Sequence, residues 1–187
     1  MYKVNEIFFS LQGEGLFTGT PMVFVRFSGC NRACSFCDTD FSRYSEMTLS
    51  DVLARVKGYR TNRVVLTGGE PALQIDTVLI DALHKEGFEI HLETNGSLPL
   101  PQGIDWITCS PKLPPLQIDP ETVNEVKIVY TGQSESELQE VKNMFPFTKF
   151  FFLQPCSGLN TAQTVDFVKK HPSWRLSLQT HKLINIP

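Results

Sequence analysis

Hydrophobic and polar positions alternate along the chain in short blocks, each closed by a glycine- or proline-marked turn. Residues 4–9, apolar apart from Asn5 and Glu6, end in Ser10-Leu11-Gln12-Gly13-Glu14-Gly15, a glycine-bracketed polar turn. Val23-Phe24-Val25-Arg26-Phe27 has the β-branched and aromatic content of a buried strand. Arg26 breaks that run with a charge. Because a lone buried charge is expensive, it must be paired within the fold or hold an anion. The strand runs directly into Cys30-Asn31-Arg32-Ala33-Cys34-Ser35-Phe36-Cys37.

Helical periodicity follows. Thr48 caps a helix with Asp51 facing back, Leu49, Val52, Leu53 and Val56 form its apolar stripe, and it ends near Gly58. Val64–Thr67 is a second strand, closed by Gly68-Gly69-Glu70-Pro71, and a helix from about Ile75 to Glu86 stops at Gly87. Phe88–Leu92 alternates as a third strand and ends in Glu93-Thr94-Asn95-Gly96; Asp105–Cys109 is a fourth, leading into Ser110-Pro111-Lys112. The links around these strands, one of them holding Pro114, Pro115 and Pro120, are poor in helix. Val126–Tyr130 is the fifth strand, Ser134 and Glu137 form a capping box for a helix to about Phe145, and Lys149–Leu153 is the sixth strand, followed by Gln154-Pro155-Cys156-Ser157. Asn160 caps a last helix through Lys170, and Trp174–Leu178 is a final strand ending in Gln179-Thr180-His181-Lys182.

About seven strands thus alternate with about four helices, which is α/β with a mainly parallel sheet. A closed barrel of this kind needs eight of each. The expectation is a partial, open barrel with fewer helices than strands, and a single domain over residues 1–187.

Composition changes this picture little. A hydrophobic content of 41% with 20% charged residues is ordinary for a globular protein, and a net charge of -3 without a basic run offers no phosphate footprint for nucleic acid. No segment reaches membrane-spanning length and the N-terminus lacks a secretory pattern, so a cytoplasmic protein is expected. In that reducing compartment five cysteines, three of them clustered, point to metal binding or catalysis rather than disulfides.

Every unusual polar motif follows a strand. In parallel α/β sheets the carboxyl ends of strands share one face, so these motifs should line one large site. Thiolates at Cys30, Cys34 and Cys37 suit either zinc or an iron-sulfur cluster. Three local ligands leave a position open, since Cys109 and Cys156 lie far off in sequence and His84 falls on a helix. Cys109 and Cys156 read as packed thiols, His84 and His171 as surface residues, His91 as a hydrogen-bonded strand residue, and Phe150–Phe152 as core.

Cys-x3-Cys-x2-Cys at the end of a strand, followed after the next strand by Gly68-Gly69-Glu70-Pro71, resembles the radical S-adenosylmethionine superfamily. Leu11-Gln12-Gly13-Glu14-Gly15, Cys37-Asp38-Thr39, Glu93-Thr94-Asn95-Gly96, Ser110-Pro111-Lys112 and the ending Trp174–Lys182 narrow the likeness to the 7-carboxy-7-deazaguanine synthase family of queuosine biosynthesis, over almost the whole chain. The resemblance implies a radical-SAM-type barrel in which Cys30, Cys34 and Cys37 hold a [4Fe-4S] cluster whose fourth iron chelates S-adenosylmethionine. It implies cofactor contacts at Phe36, Cys37, Asp38, Gly96, Ser110, Pro111, Lys112, Gln154, Pro155, Cys156 and Ser157, with Gly68, Gly69 and Glu70 beside the methionine part. Substrate contacts are implied at Leu11, Gln12, Gly13, Arg26, Thr94 and Pro187, more weakly at His181, and a Mg2+ ligand at Thr39. The family substrate is 6-carboxy-5,6,7,8-tetrahydropterin, so the likeness turns the two readings of Arg26 toward anion binding. A radical-mediated ring contraction with loss of ammonia, a flavodoxin-type electron donor and a homodimer are implied in the same way. Two rival readings remain at the level of sequence: a small radical enzyme acting on a partner protein, and a metal-binding module without catalysis. The short segment between Asp40 and the first helix is expected to shape how the site closes.

Overall fold

The computed structural model describes residues 1–40, 42–112 and 115–187. Pro114, one of the prolines in the helix-poor link, lies outside them. The chain forms β1 (Tyr2–Leu11), β2 (Pro21–Phe27), β3 (Ser45–Met47), α1 (Leu49–Lys57), β4 (Arg63–Gly68), α2 (Thr77–Lys85), β5 (Glu89–Thr94), β6 (Trp106–Cys109), β7 (Glu125–Tyr130), α3 (Glu135–Met144), β8 (Phe150–Pro155), α4 (Thr161–Lys170), β9 (Arg175–Leu176) and α5 (Thr180–Leu183). One sheet of nine strands runs in the order β3-β1-β2-β4-β5-β6-β7-β8-β9. From β2 to β9 every neighbour is parallel, whereas β1 pairs antiparallel with β2 and β3. The sheet is open, with β3 and β9 as its edges among the described residues. The expected partial barrel with more strands than helices is therefore present.

Strand alternation divides the side chains into two populations. Val23, Val25, Phe27, Val64, Leu66, Ile90 and Leu92 point to the outer face, where they pack with Val52 and Val56 of α1 and Leu79, Ile80 and Leu83 of α2. Further along the sheet Ile107, Cys109, Val126, Ile128 and Leu153 do the same with Leu138 of α3 and the partly buried Phe167 and Val168 of α4. The alternate positions face inward, and there the register sets Arg26 beside Thr67, Glu93 beside Thr108, and Thr108 beside Glu125. The amino-terminal end of this interior is plugged by rings: Phe17 meets His91 and Trp106 edge-on at 4.6 and 4.9 Å. The outer face is thus an ordinary core, and the polar inner face is left for chemistry.

Both capping boxes are as expected. Thr48 accepts from the Asp51 amide, Ser134 accepts from the Glu137 amide, and each acidic side chain returns a bond to its cap. Other boundaries differ for local reasons. The second helix begins at Thr77 rather than near Ile75 because Asp76 Oδ1 caps it through the Leu79 amide at 2.8 Å. Asn160 stands at the start of α4 without capping it. Its Oδ1 accepts from the Cys156 amide and its Nδ2 donates to the Tyr130 carbonyl, both at 2.8 Å, so it clamps the ends of β7 and β8 together. The last strand spans only Arg175–Leu176 instead of 174–178, because Ser177 and Gln179 turn into the interior. The apolar stretch 4–9 is part of a full strand, and the short β3 and α5 carry no periodicity long enough to read.

Leu66 is fully buried at the centre of the outer core. Leu66→Ala should lower the unfolding free energy by about 2–5 kcal/mol, read from the denaturant midpoint, through lost transfer energy and a residual cavity. A change below about 1 kcal/mol would contradict this placement of the core.

Candidate active site

The carboxyl ends of the parallel strands open into one cavity of about 430 Å³. Its two ends are built differently. At one end the cysteine loop is held by backbone. The Gly69 amide donates to the Phe27 carbonyl at 3.1 Å, and the Glu70 amide to the Gly29 carbonyl at 2.9 Å. This close approach requires glycine twice. Gly68 has φ of 138° and a Cβ there would stand 2.1 Å from Phe27 O; a Cβ on Gly69 would stand 2.1 Å from Gly29 O and 3.0 Å from Cys30 Cβ. The Gly68-Gly69-Glu70-Pro71 turn is therefore a strap that fixes where the first thiol starts.

Cys30, Cys34 and Cys37 all line the cavity. Among the described residues no three His, Cys, Asp or Glu side chains gather closely enough to share one metal ion. A cubane cluster makes no such demand, because each thiolate binds a different iron, and three thiols along one cavity wall suit it. Burial pushes the Cys30 thiol up, so loading a metal there displaces a proton. Phe36 lies under Lys112, whose Nζ is 5.2 Å from the ring centre, and burial pulls that ammonium down. Asn31 bridges to Ser97 at 2.8 Å and accepts from Asn95 at 3.1 Å.

At the other end the wall is ionic. Lys127 is buried on the inner face of β7 and is held by a short contact to Glu14 Oε2, with Glu93 Oε2 at 3.5 Å. The other oxygen of Glu14 accepts from Gln154 at 3.2 Å and from Gln179 at 2.9 Å. Gln12 donates to Glu93 Oε1 at 3.1 Å. Burial pushes the Glu14 carboxyl up, but the Lys127 charge and these hydrogen bonds outweigh it and hold the group below its ordinary value. Lys127 is likewise driven above its ordinary value: burial disfavours its charge, and the surrounding carboxylates more than compensate. The result is a wall of carboxylates held in place with one cation behind them.

Arg26 answers the question its position raised in both ways. Its Nε donates to Glu6 at 2.8 Å across the antiparallel pair, its guanidinium lies 5.6 Å from the Phe8 ring centre, and it also lines the cavity. Structural pairing and a place facing the site coexist.

Most residues singled out from sequence meet at this cavity: Leu11, Gln12, Gly13, Arg26, the three thiols, Phe36, Asp38, Thr39, Gly68, Gly69, Thr94, Ser110, Lys112, Gln154, Pro155, Ser157, His181 and Pro187. Glu70, Gly96, Pro111 and Cys156 do not line it. Glu70 is fully buried and accepts from Thr94 Oγ1 at 2.8 Å and from the amides of Asn95 at 2.7 Å and Ala72 at 3.0 Å. Burial raises its pKa against those bonds. Thr94 spends its hydroxyl proton on Glu70 and accepts from the Gly96 amide at 3.1 Å. The carboxylate of Asp38 is occupied by Lys182 and by Gln179 at 3.0 Å; although burial opposes it, these donors keep the group below the usual carboxylate range. Cys109 is buried beside Gly96, its thiol pushed up to about 12 by burial, as suits a packed cysteine.

Sequence reading passed over Glu14, Thr67, Glu93, Lys127, Gln179 and Lys182, all of which line the cavity. The signal for two of them was present. Lys127 interrupts an apolar strand as Arg26 does, and Thr67 is the penultimate residue of β4, on the inner face. Outside the cavity, His84 bonds Asp105 at 2.9 Å, His91 bonds Glu89 at 3.0 Å, and His171 stacks on Phe167.

Comparison with known proteins agrees with this geometry. The model of the Radical SAM superfamily matches residues 24–143. The chain is 55% identical over 186 residues to the 7-carboxy-7-deazaguanine synthase of Bacteroides thetaiotaomicron, covering 100% of this chain and 99% of that protein. It is 43% identical over 213 residues to the synthase of the same name from Burkholderia multivorans, with 100% and 99% covered. The crystal structure of QueE from Escherichia coli superposes with a TM-score of 0.80 at 30% identity, covering 95% of this chain and 93% of that one.

Glu125 sits behind the ionic wall, accepting from the Leu16 amide at 3.0 Å, and burial pushes its carboxyl up from 4.5 to about 7 against the pull of Lys127. The folded protein then keeps a proton that the unfolded chain gives up above 4.5, so this residue's contribution to stability falls as pH rises through the interval from 4.5 to about 7. Glu125→Gln removes the titration and should flatten that part of the pH profile, gaining up to about 3 kcal/mol over the parent at about pH 8. Denaturant unfolding across that range checks it; identical slopes for both proteins would contradict the protonated carboxyl.

Proposed function

Because the chain belongs to the 7-carboxy-7-deazaguanine synthase family of radical S-adenosylmethionine enzymes, we propose that its cavity contracts the ring of 6-carboxy-5,6,7,8-tetrahydropterin to 7-carboxy-7-deazaguanine, with release of ammonia, for queuosine and related 7-deazapurines. The observation that carries this reading is the joining of two unlike ends in one cavity: thiols on one wall, fixed carboxylates and amides on the other. When bound, a [4Fe-4S] cluster and S-adenosylmethionine would supply radical hydrogen-atom transfer at the pterin.

The chain's own residues bind and orient. Cys30, Cys34 and Cys37 are the cluster ligands, and the glycine strap fixes their loop. Phe36, Ser110, Lys112, Gln154 and Ser157 wall the cofactor space. A pterin carries an amino-pyrimidinone edge rich in N–H donors, and the anionic Glu14 and Glu93 with Gln12 offer it acceptors held by Lys127. The substrate carboxylate is left for a cation, and Arg26 lies on the same cavity. Thr39, a hydroxyl on the loop next to Asp38, serves Mg2+ as an oxygen ligand. His181 and the terminal Pro187 complete the far wall, with Ser10 Oγ donating to the Pro187 carbonyl oxygen at 2.8 Å. Shielding matters because a carbon radical reacts with whatever it meets. We read residues 1–187 as one domain working as a homodimer in the cytoplasm with a flavodoxin-type electron donor. No helix among the described residues is long and apolar enough to cross a membrane.

Anaerobic incubation of iron-loaded protein with reductant, S-adenosylmethionine, Mg2+ and 6-carboxy-5,6,7,8-tetrahydropterin should yield 7-carboxy-7-deazaguanine and ammonia in equal amounts by mass spectrometry and ammonia assay. Several products should form per S-adenosylmethionine supplied. An untouched pterin beside accumulating 5'-deoxyadenosine would overturn the assignment.

A further inference from the structure

One side chain bridges the two ends of the cavity. Gln179 Nε2 lies 2.9 Å from Glu14 Oε1 and 3.0 Å from Asp38 Oδ2, and its Oε1 accepts from Lys182 Nζ at 2.9 Å. An amide nitrogen carries two protons, so it can donate one to each carboxylate. Glu14 belongs to the polar turn after β1, against Lys127. Asp38 lies between Cys37, the last of the clustered thiols, and Thr39. Two anions from opposite walls therefore meet on one neutral donor, with Lys127 behind the first and Lys182 beside the second.

The segment that carries Gln179 is itself anchored. Thr180 donates from both its amide and its hydroxyl to Gly13 O, each at 2.9 Å. His181 packs so tightly on Gly13 that a Cβ there would stand 2.0 Å from its Nδ1. The Ile186 amide donates to the His181 carbonyl at 3.0 Å. The bridge therefore projects from a fixed base, so its length sets a distance.

We infer that Gln179 is a positioning residue which sets the spacing between the substrate-facing Glu14 and the Cys37-Asp38-Thr39 turn of the cluster loop. This rests on the reading under Proposed function for what lies at each end, and adds that neither end keeps its place without the other. The role is to hold, not to react. Loss of the bridge loosens the tip of the loop and lets the substrate drift from the radical, while the backbone strap at the loop's start is untouched. A glutamate at 179 keeps the volume but sets a third carboxylate between two others, so it is worse than alanine. A space-filling role would give the opposite order.

Hydrogen exchange and turnover together test this on the full-length, iron-loaded protein, in which Gln179→Ala and Gln179→Glu are compared with the parent. Exchange of amides 34–40 and 12–16 should rise about tenfold in Gln179→Ala and more in Gln179→Glu, since bonds to charged groups are the stronger kind. Iron content should stay within about twofold of the parent, because the backbone strap that fixes the start of the thiol loop is kept, and any rise in the S-adenosylmethionine KM should be smaller than the rise for the pterin. The pterin KM should rise about tenfold, and free 5'-deoxyadenosine per deazapurine should rise with it. Exchange confined to residues 177–187, or equal behaviour of the glutamate variant and the parent, would overturn the inference. If the parent itself leaves the pterin untouched, the functional reading fails, and the exchange data still decide whether Gln179 couples the two segments.

Discussion

The site depends on a cation buried among carboxylates. Lys127 faces inward from β7, where alternation would ordinarily place another apolar or hydroxyl residue, and it is held by Glu14 with Glu93 nearby. Isolating any of these charges at that depth would cost several kcal/mol, and mutual attraction with extra hydrogen bonds offsets it only when the geometry is good. Gln154 and Gln179 supply those extra bonds to Glu14, and Gln12 supplies one to Glu93. Pairing with Lys127 holds the Glu14 carboxyl below its ordinary value, although burial alone would push it upward. A charged acceptor wall held by these bonds is then available for the N–H edge of a ligand.

The opposite end solves a different problem by different means. A multi-iron cluster needs three thiols on a loop whose start is fixed but whose tip can adapt. Backbone hydrogen bonds from Gly69 and Glu70 fix the start, and two glycines permit the contact. The tip is tied by side chains, through Asp38 to Lys182 and Gln179. Glu70 links this end to the next strand, since its carboxylate holds the last residues of β5 in place. Backbone straps therefore set the thiol side, while side-chain charge sets the carboxylate side. The last residues of the chain join them.

Much of this was legible before any coordinates. Capping boxes at Thr48 and Ser134 are local chemistry, so their boundaries could be read directly. Parallel strands were legible because apolar runs end in polar motifs, and that rule also gathered the motifs into one site. Harder features involve partners distant in sequence. Asn160 looks like a cap but clamps two strand ends, because Cys156 and Tyr130 offer better partners than its own helix. Strand β1 has the composition of a strand but no turn that demands pairing, so only the antiparallel register with β2 reveals it. Glu14 and Glu93 lie inside quoted motifs, yet nothing local says that both converge on Lys127, which lies more than thirty residues from either. Arg26 and Lys127 carry the same signal, a charge interrupting an apolar strand, and it names the partners of neither.

Lys127 and Glu14 form one buried unit on which the carboxylate wall depends. A double-mutant cycle in denaturant unfolding, using Lys127→Met, Glu14→Gln and the pair, measures it most directly. The account predicts that Lys127→Met alone costs about 3–5 kcal/mol by stranding buried carboxylates. It also predicts that the double variant recovers at least about 1 kcal/mol relative to the sum of the single changes. Additive losses, or a Lys127→Met protein as stable as the parent, would contradict it.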